Sequence, residues 1–164
     1  MNRRNVFALV ALAAVVMIWG CSPATSVKAP TTAELIGKWV FTSIHETMTE
    51  TIHYGIPGAH DSTMRMDSTL TLSGTANYLQ LNADITYSFT MPAMGASAES
   101  GTWSLSGSSL RMISSTTDTT NLSVSVSGNN GTFVNSKSER TDIPTVPGAY
   151  IQMSETVTVL GTKQ

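Results

Sequence analysis

Cysteine occurs once in this 164-residue chain, at Cys21. A single thiol excludes an internal disulfide and any zinc or iron–sulfur site built from several thiolates. Histidine is almost as scarce, limited to His45, His53 and His60. Charge is thin as well. Asp, Glu, Lys and Arg make up 12% of the chain, and once Arg3 and Arg4 are set aside the seven remaining basic residues meet eleven acidic ones, a net charge of −4 over residues 21–164. Those basic residues are scattered, so the cationic cluster that displaces counterions from a nucleic-acid backbone is missing and no nucleic-acid partner is expected. No apolar run reaches the roughly 20 residues of a spanning helix. A nucleophile elbow, a phosphate-cradling glycine loop and a carboxylate pair at catalytic spacing are all lacking, so the sequence predicts no enzyme and no cofactor. The length suits one domain whose core is stable without cross-links.

What is present begins with a positive start, Met1-Asn2-Arg3-Arg4-Asn5, followed by 13 apolar residues from Val6 to Ile18 and then Trp19, Gly20 and Cys21. This is the layout of a secretory signal peptide. Ile18-Trp19-Gly20-Cys21 resembles the lipobox of bacterial lipoproteins, with a branched apolar residue three before the cysteine and a small one just before it. The resemblance implies a signal peptide over 1–20, cleavage before Cys21, and lipidation of Cys21 by a diacylglycerol thioether and an N-acyl chain such as palmitate. Two or more chains hold a protein on a membrane essentially permanently, at about 0.8 kcal/mol per buried CH₂. Ser22 after the cysteine implies sorting to the outer membrane of the cell envelope. Residues 21–34, rich in Ser, Thr, Ala and Pro, read as a disordered tether behind that anchor.

From Leu35 to the C-terminus the pattern is alternation of apolar and polar residues, which sends one set of side chains to each face of a strand. Leu122, Val124 and Val126 alternate with serines; Ile85, Tyr87, Phe89 and Met91 alternate with Thr and Ser. Turn residues at Gly55–Ser62, Ser73-Gly74, Asn82–Asp84, Ser106–Ser108 and Gly128–Gly131 separate the runs. Strands are therefore predicted near 38–54, 63–73, 76–82, 85–91, 99–105, 109–114, 120–127, 132–139 and 149–160, with no helical period among them. Such a set suits an all-β fold, an antiparallel up-and-down barrel of about eight to ten strands, because closure removes exposed edges. A β-sandwich is the alternative.

Glu34-Leu-Ile-Gly37-Lys-Trp39-Val-Phe41 opens the first strand with Gly-x-Trp, and Glu99-Ser-Gly101-Thr-Trp103 repeats it mid-chain. Both stretches resemble lipocalin-like domains, and the likeness spans roughly 35–160. The resemblance implies a barrel closed at one end, where Gly37 and Gly101 let chains approach and Trp39 and Trp103 plug the core. Asn82-Ala-Asp84-Ile85 resembles the usual hairpin of these domains, with Ile85 where glycine is common. The last strand has no arginine of the kind that packs on the tryptophan.

Two roles compete. In one, the barrel binds a small apolar or amphipathic ligand through Phe41, Tyr87, Phe89 and Glu155 and opens at one end. In the other, a core filled around the aromatic residues leaves the surface to dock a protein partner in the envelope. A hollow of about 300 Å³ separates them, since less encloses no typical ligand. Glu155 stands out because it falls in the inward line between Met153 and Val157; it must face an opening, lie at a bulge or meet a cation such as Arg65 or Arg111. His45 and His53 sit eight residues apart, about 26 Å along a strand, too far to share a metal. His53, His60 and Asp61 could approach one another across the Gly55–Gly58 loop, yet solvated loop histidines and no metal are the expectation.

Overall fold

The computed structural model describes residues 28–56, 58–116 and 118–164, so the signal peptide, the lipobox and Cys21 lie outside the described residues. A strand occupies each of the nine predicted places: β1 Gly37–His53, β2 Ser62–Thr71, β3 Tyr78–Leu81, β4 Thr86–Met91, β5 Ala96–Ser106, β6 Ser109–Ser114, β7 Thr119–Ser127, β8 Asn130–Asp142 and β9 Tyr150–Lys163. From β3 to β9 each strand pairs antiparallel with the next, β1 pairs with β3, and β1–β9 pairing closes an eight-strand barrel. That closure excludes the sandwich. Among the described residues β2 is the ninth strand, hydrogen-bonded only to β1.

One irregularity in β1 makes its interior face continuous. Phe41 and Ile44 are both buried, although a spacing of three places side chains on opposite faces of a regular strand. The register shifts between Phe41 and Ser43, so Thr42 is an extra residue that returns Ile44 to the inside. On the other edge of β1, residues 72–77 loop out between β2 and β3, with Leu72 N–H donating to Thr42 O (2.8 Å) and Phe41 N–H donating to Asn77 O (2.9 Å).

The closed end is sealed by a short helix, α1 (Thr32–Leu35), which begins inside the stretch read from sequence as tether. Four residues are too few to leave a helical period. The turn forms because Thr31 and Glu34 make a reciprocal capping box, and those hydrogen bonds hold the Glu34 carboxyl below its ordinary range. Leu35 is fully buried, and its carbonyl accepts a 2.7 Å hydrogen bond from Trp39 Nε1. Trp39 packs edge-on against Phe133, with centroids 5.6 Å apart. The place left by the missing arginine is filled by Lys163, whose Nζ lies 5.7 Å from the Trp39 ring and donates to Glu34 O at 2.9 Å. Gly37 (φ 136°) admits it: a Cβ there would stand 2.6 Å from Lys163 Cε.

Ile85 is the only non-glycine residue with positive φ (62°) among those described. Asp84 holds it there, accepting from Thr86 N–H and Oγ1 at 3.1 and 2.6 Å, while Ile85 O accepts from Trp103 N–H at 2.8 Å. A β-branched residue in the left-handed region costs about 1–2 kcal/mol, and this side chain is exposed, so little burial offsets the strain. Ile85→Gly removes the strain but adds backbone freedom to the unfolded chain worth up to about 1 kcal/mol. The expected net gain is about 0.5–1 kcal/mol in urea unfolding; a loss would contradict the strain.

Above the barrel, β1, β2, β8 and β9 continue as a four-stranded wall, because β3, β4 and β6 are short. Its inner face extends the interior face of the barrel. In register order across β2, β1, β9 and β8 it carries Leu70–Ile44–Val159–Phe133, then Ser68–Glu46–Val157–Asn135, then Met66–Met48–Glu155–Lys137, then Met64–Glu50–Met153–Glu139. The outer face is mostly hydroxyls, which suit a solvated pleated surface.

Candidate functional site

A cavity of about 270 Å³ opens beneath this wall. Phe41, Phe89 and Phe133 form its floor, with Phe41 centroids 6.2 Å from Phe89 and 6.0 Å from Phe133. Ile44, Leu79, Met91, Met112, Leu122, Val157 and Val159 make its sides, one or two each from β1, β3, β4, β6, β7 and β9, as period-2 alternation around a closed barrel requires. Met94, Glu99, Thr120 and Asn135 add the remaining lining. The Phe41–Phe133 layer separates the cavity from Trp39. Trp103 is buried too, its Nε1 donating to Asn82 O at 3.2 Å. Gly101 lets β5 and β6 come together, since a Cβ there would stand 2.0 Å from Ile113 O.

The residues read from sequence as ligand contacts separate into three groups. Phe41 and Phe89 line the cavity. Tyr87 lies in the core, 2% exposed, outside the cavity lining, and is tied to it through its hydroxyl, which donates to the lining residue Glu99. Glu155 sits on the wall above Val157, half-buried and outside the cavity lining. The cation near it is Lys137, directly opposite in register on β8 though ion-paired to Glu139 instead, rather than Arg65 or Arg111; register puts both arginines on outward faces. The Lys137–Glu139 pair is 2.5 Å long, and the two carboxylates, Glu139 foremost, raise the Lys137 pKa.

Glu99 is the carboxylate that lines the cavity, and the sequence reading passed over it. Its signal is parity: Glu99, Gly101 and Trp103 share one face of β5, and Trp103 is buried in the core. Burial, and then the hydrogen bond to Glu99, push the Tyr87 phenol well above its ordinary value near 10. Because the folded value is the higher one, this group's contribution to stability is complete below about pH 10 and is lost as pH rises beyond it. Urea unfolding from pH 8 to 11 should therefore show stability falling above pH 10 by up to about 1.4 kcal/mol per pH unit more than in Tyr87→Phe. Parallel profiles for the two proteins would contradict the assignment.

The histidines do not converge. His45 Nε2 lies 2.9 Å from Asp67 and His53 Nδ1 2.8 Å from Asp61, each on the outer face with its own carboxylate. His53 also stacks on Tyr150, centroids 4.8 Å apart. His60 joins neither pair. Among the described residues no group of three or more His, Cys, Asp or Glu side chains could hold a metal, and no helix is long and apolar enough to cross a membrane.

A family model described as a lipocalin-like domain matches residues 35–135, from α1 through the middle of β8. No curated protein and no solved structure matches the chain.

Proposed function

The chain belongs to the lipocalin-like domain family, and on that premise we propose that its barrel binds a small apolar or amphipathic molecule at the cell envelope, held to the outer membrane by lipid on Cys21. One observation carries the binding role: an apolar hollow closed below by aromatic rings and continued above by the inner face of the wall. Its volume, about 270 Å³, lies just under the range of about 300–1,000 Å³ common for ligand sites. The site therefore suits a short ligand, or one end of a longer one whose remainder lies along Met48 and Met66. Glu99 sets the polar preference. A carboxylate at an apolar site accepts from a hydroxyl or an ammonium group and repels another anion.

The test is calorimetric titration with n-alkyl alcohols, amines and carboxylates of increasing chain length. Alcohols and amines should bind one per chain with negative ΔCp, and carboxylates of equal length should bind at least about tenfold more weakly. Equal affinity for carboxylates would remove Glu99 from the site, and no binding by any series would remove the ligand role. The alternative, a docking lipoprotein with a filled core, is favoured only by the modest volume. The anchor has its own test: fatty-acid labelling of Cys21→Ala should fall to background, and continued incorporation would exclude it.

A further inference from the structure

β2 presents a whole strand edge to solvent. Every residue from Ser62 to Thr71 is exposed, and among the described residues β1 is the only strand it pairs with. Leu72 N–H donates to Thr42 O, directly opposite it in the β1–β2 register, so even-numbered residues of β2 turn their backbone groups toward β1. The odd-numbered residues Thr63, Arg65, Asp67 and Thr69 turn theirs outward. An edge of this length with Met64, Met66 and Leu70 at 54%, 55% and 42% exposure is a template for another strand.

The other free edge of the wall is guarded differently. β7 pairs with β8 only as far as Val134, leaving residues 135–142 unpaired on that side. There Lys137–Glu139 (2.5 Å) and Arg140–Asp142 (3.0 Å) close ion pairs along their own strand. Arg65 and Asp67 have the same spacing of two but form no such pair; Asp67 meets His45 instead, and Arg65 has no ion-pair partner among the described residues.

We propose that β2 is a homodimer edge, pairing antiparallel with β2 of a second copy about a two-fold axis at Met66. Only a few registers exist for an antiparallel self-pair, and this one sets Arg65 against Asp67 of the other copy twice over. It also sets Thr63 against Thr69, outward-turned residues that exchange backbone hydrogen bonds. On the inner face, Met66 meets Met66 of the other copy, and because Met48 is opposite Met66 within each chain an apolar row of four methionines spans β1 and β2 of both copies. The interface is isologous, as a closed dimer demands, and the complementary charges fix its register.

The test is oxidative cross-linking of the full chain in membranes, with the unsubstituted protein, whose one thiol is Cys21, as reference. Met66→Cys places two sulfurs across the axis at a spacing a disulfide spans, and should give a band of twice the mass. Adding Arg65→Asp should weaken that band about tenfold or more, and adding Asp67→Arg to the same chain should restore it. Three results would overturn the proposal: no dimer band from Met66→Cys, an equal band from Met64→Cys (which faces Ser68), or a band indifferent to charge reversal. A dimer cross-linked through Ser138→Cys on β8 but not through residue 66 would equally exclude it. All these positions are exposed, so folding of the variants is not at risk.

Discussion

Trp39→Ala is expected to destabilise the protein by about 3–5 kcal/mol, the usual cost of truncating a buried tryptophan. For a domain of this size that lowers the melting temperature by about 10–20 °C in a circular-dichroism scan. The cost has several parts that act together. Trp39 is fully buried and packs edge-on against Phe133. Its Nε1 is the donor to Leu35 O, so truncation leaves that buried carbonyl unpaired and releases α1 from the barrel end. Gly131 has already yielded its side-chain space to the indole, since a Cβ there would stand 2.7 Å from Trp39 Cζ3, so the glycine brings no side chain of its own to the void. Trp39→Phe keeps most of the apolar contact and loses the hydrogen bond, so about 1–3 kcal/mol of the loss should remain. An alanine variant within about 1 kcal/mol of the parent would mean the closed end does not depend on this residue.

Leu122→Trp should abolish ligand binding, or weaken it at least tenfold, while leaving stability nearly unchanged. Leu122 is half-buried and lines the cavity from β7, so a larger ring has the hollow to enter. Filling a void that already exists differs from forcing volume into a packed core, which costs about 1–3 kcal/mol. Calorimetric titration with an n-alkyl alcohol separates the outcomes. Undiminished affinity in a folded Leu122→Trp protein would place the ligand elsewhere on the chain.

The barrel was legible because its physics is local. Alternation in Leu122–Val126 and Tyr87–Met91 dictates faces, and the turn residues between runs dictate antiparallel neighbours. Closure is a longer-range fact, carried by Gly-x-Trp through family resemblance rather than by periodicity. Four things escaped, the first being α1 (Thr32–Leu35), whose four residues are too few to leave a helical period. The bulge at Thr42 is invisible in a sequence that shows only apolar residues three apart. Lys163 against Trp39 depends on where two distant strand ends meet, and the sequence offered an arginine's absence without its substitute. Glu155 stands out in the sequence because a carboxylate in an apolar line is conspicuous; yet the wall rises past the barrel, so inward parity there means an open face. Glu99, between Ala98 and Ser100, stands in no apolar line, although its parity with Trp103 marks it as inward.

The most direct test of the binding role is mass spectrometry of small molecules extracted from the full-length protein after mild purification, beside Leu122→Trp prepared the same way. A near-stoichiometric amphipathic compound with a neutral or cationic head, present in the parent and missing from Leu122→Trp, is the expected result. A blank from the parent across several mild detergents, or the same compound at the same level in both proteins, would contradict it.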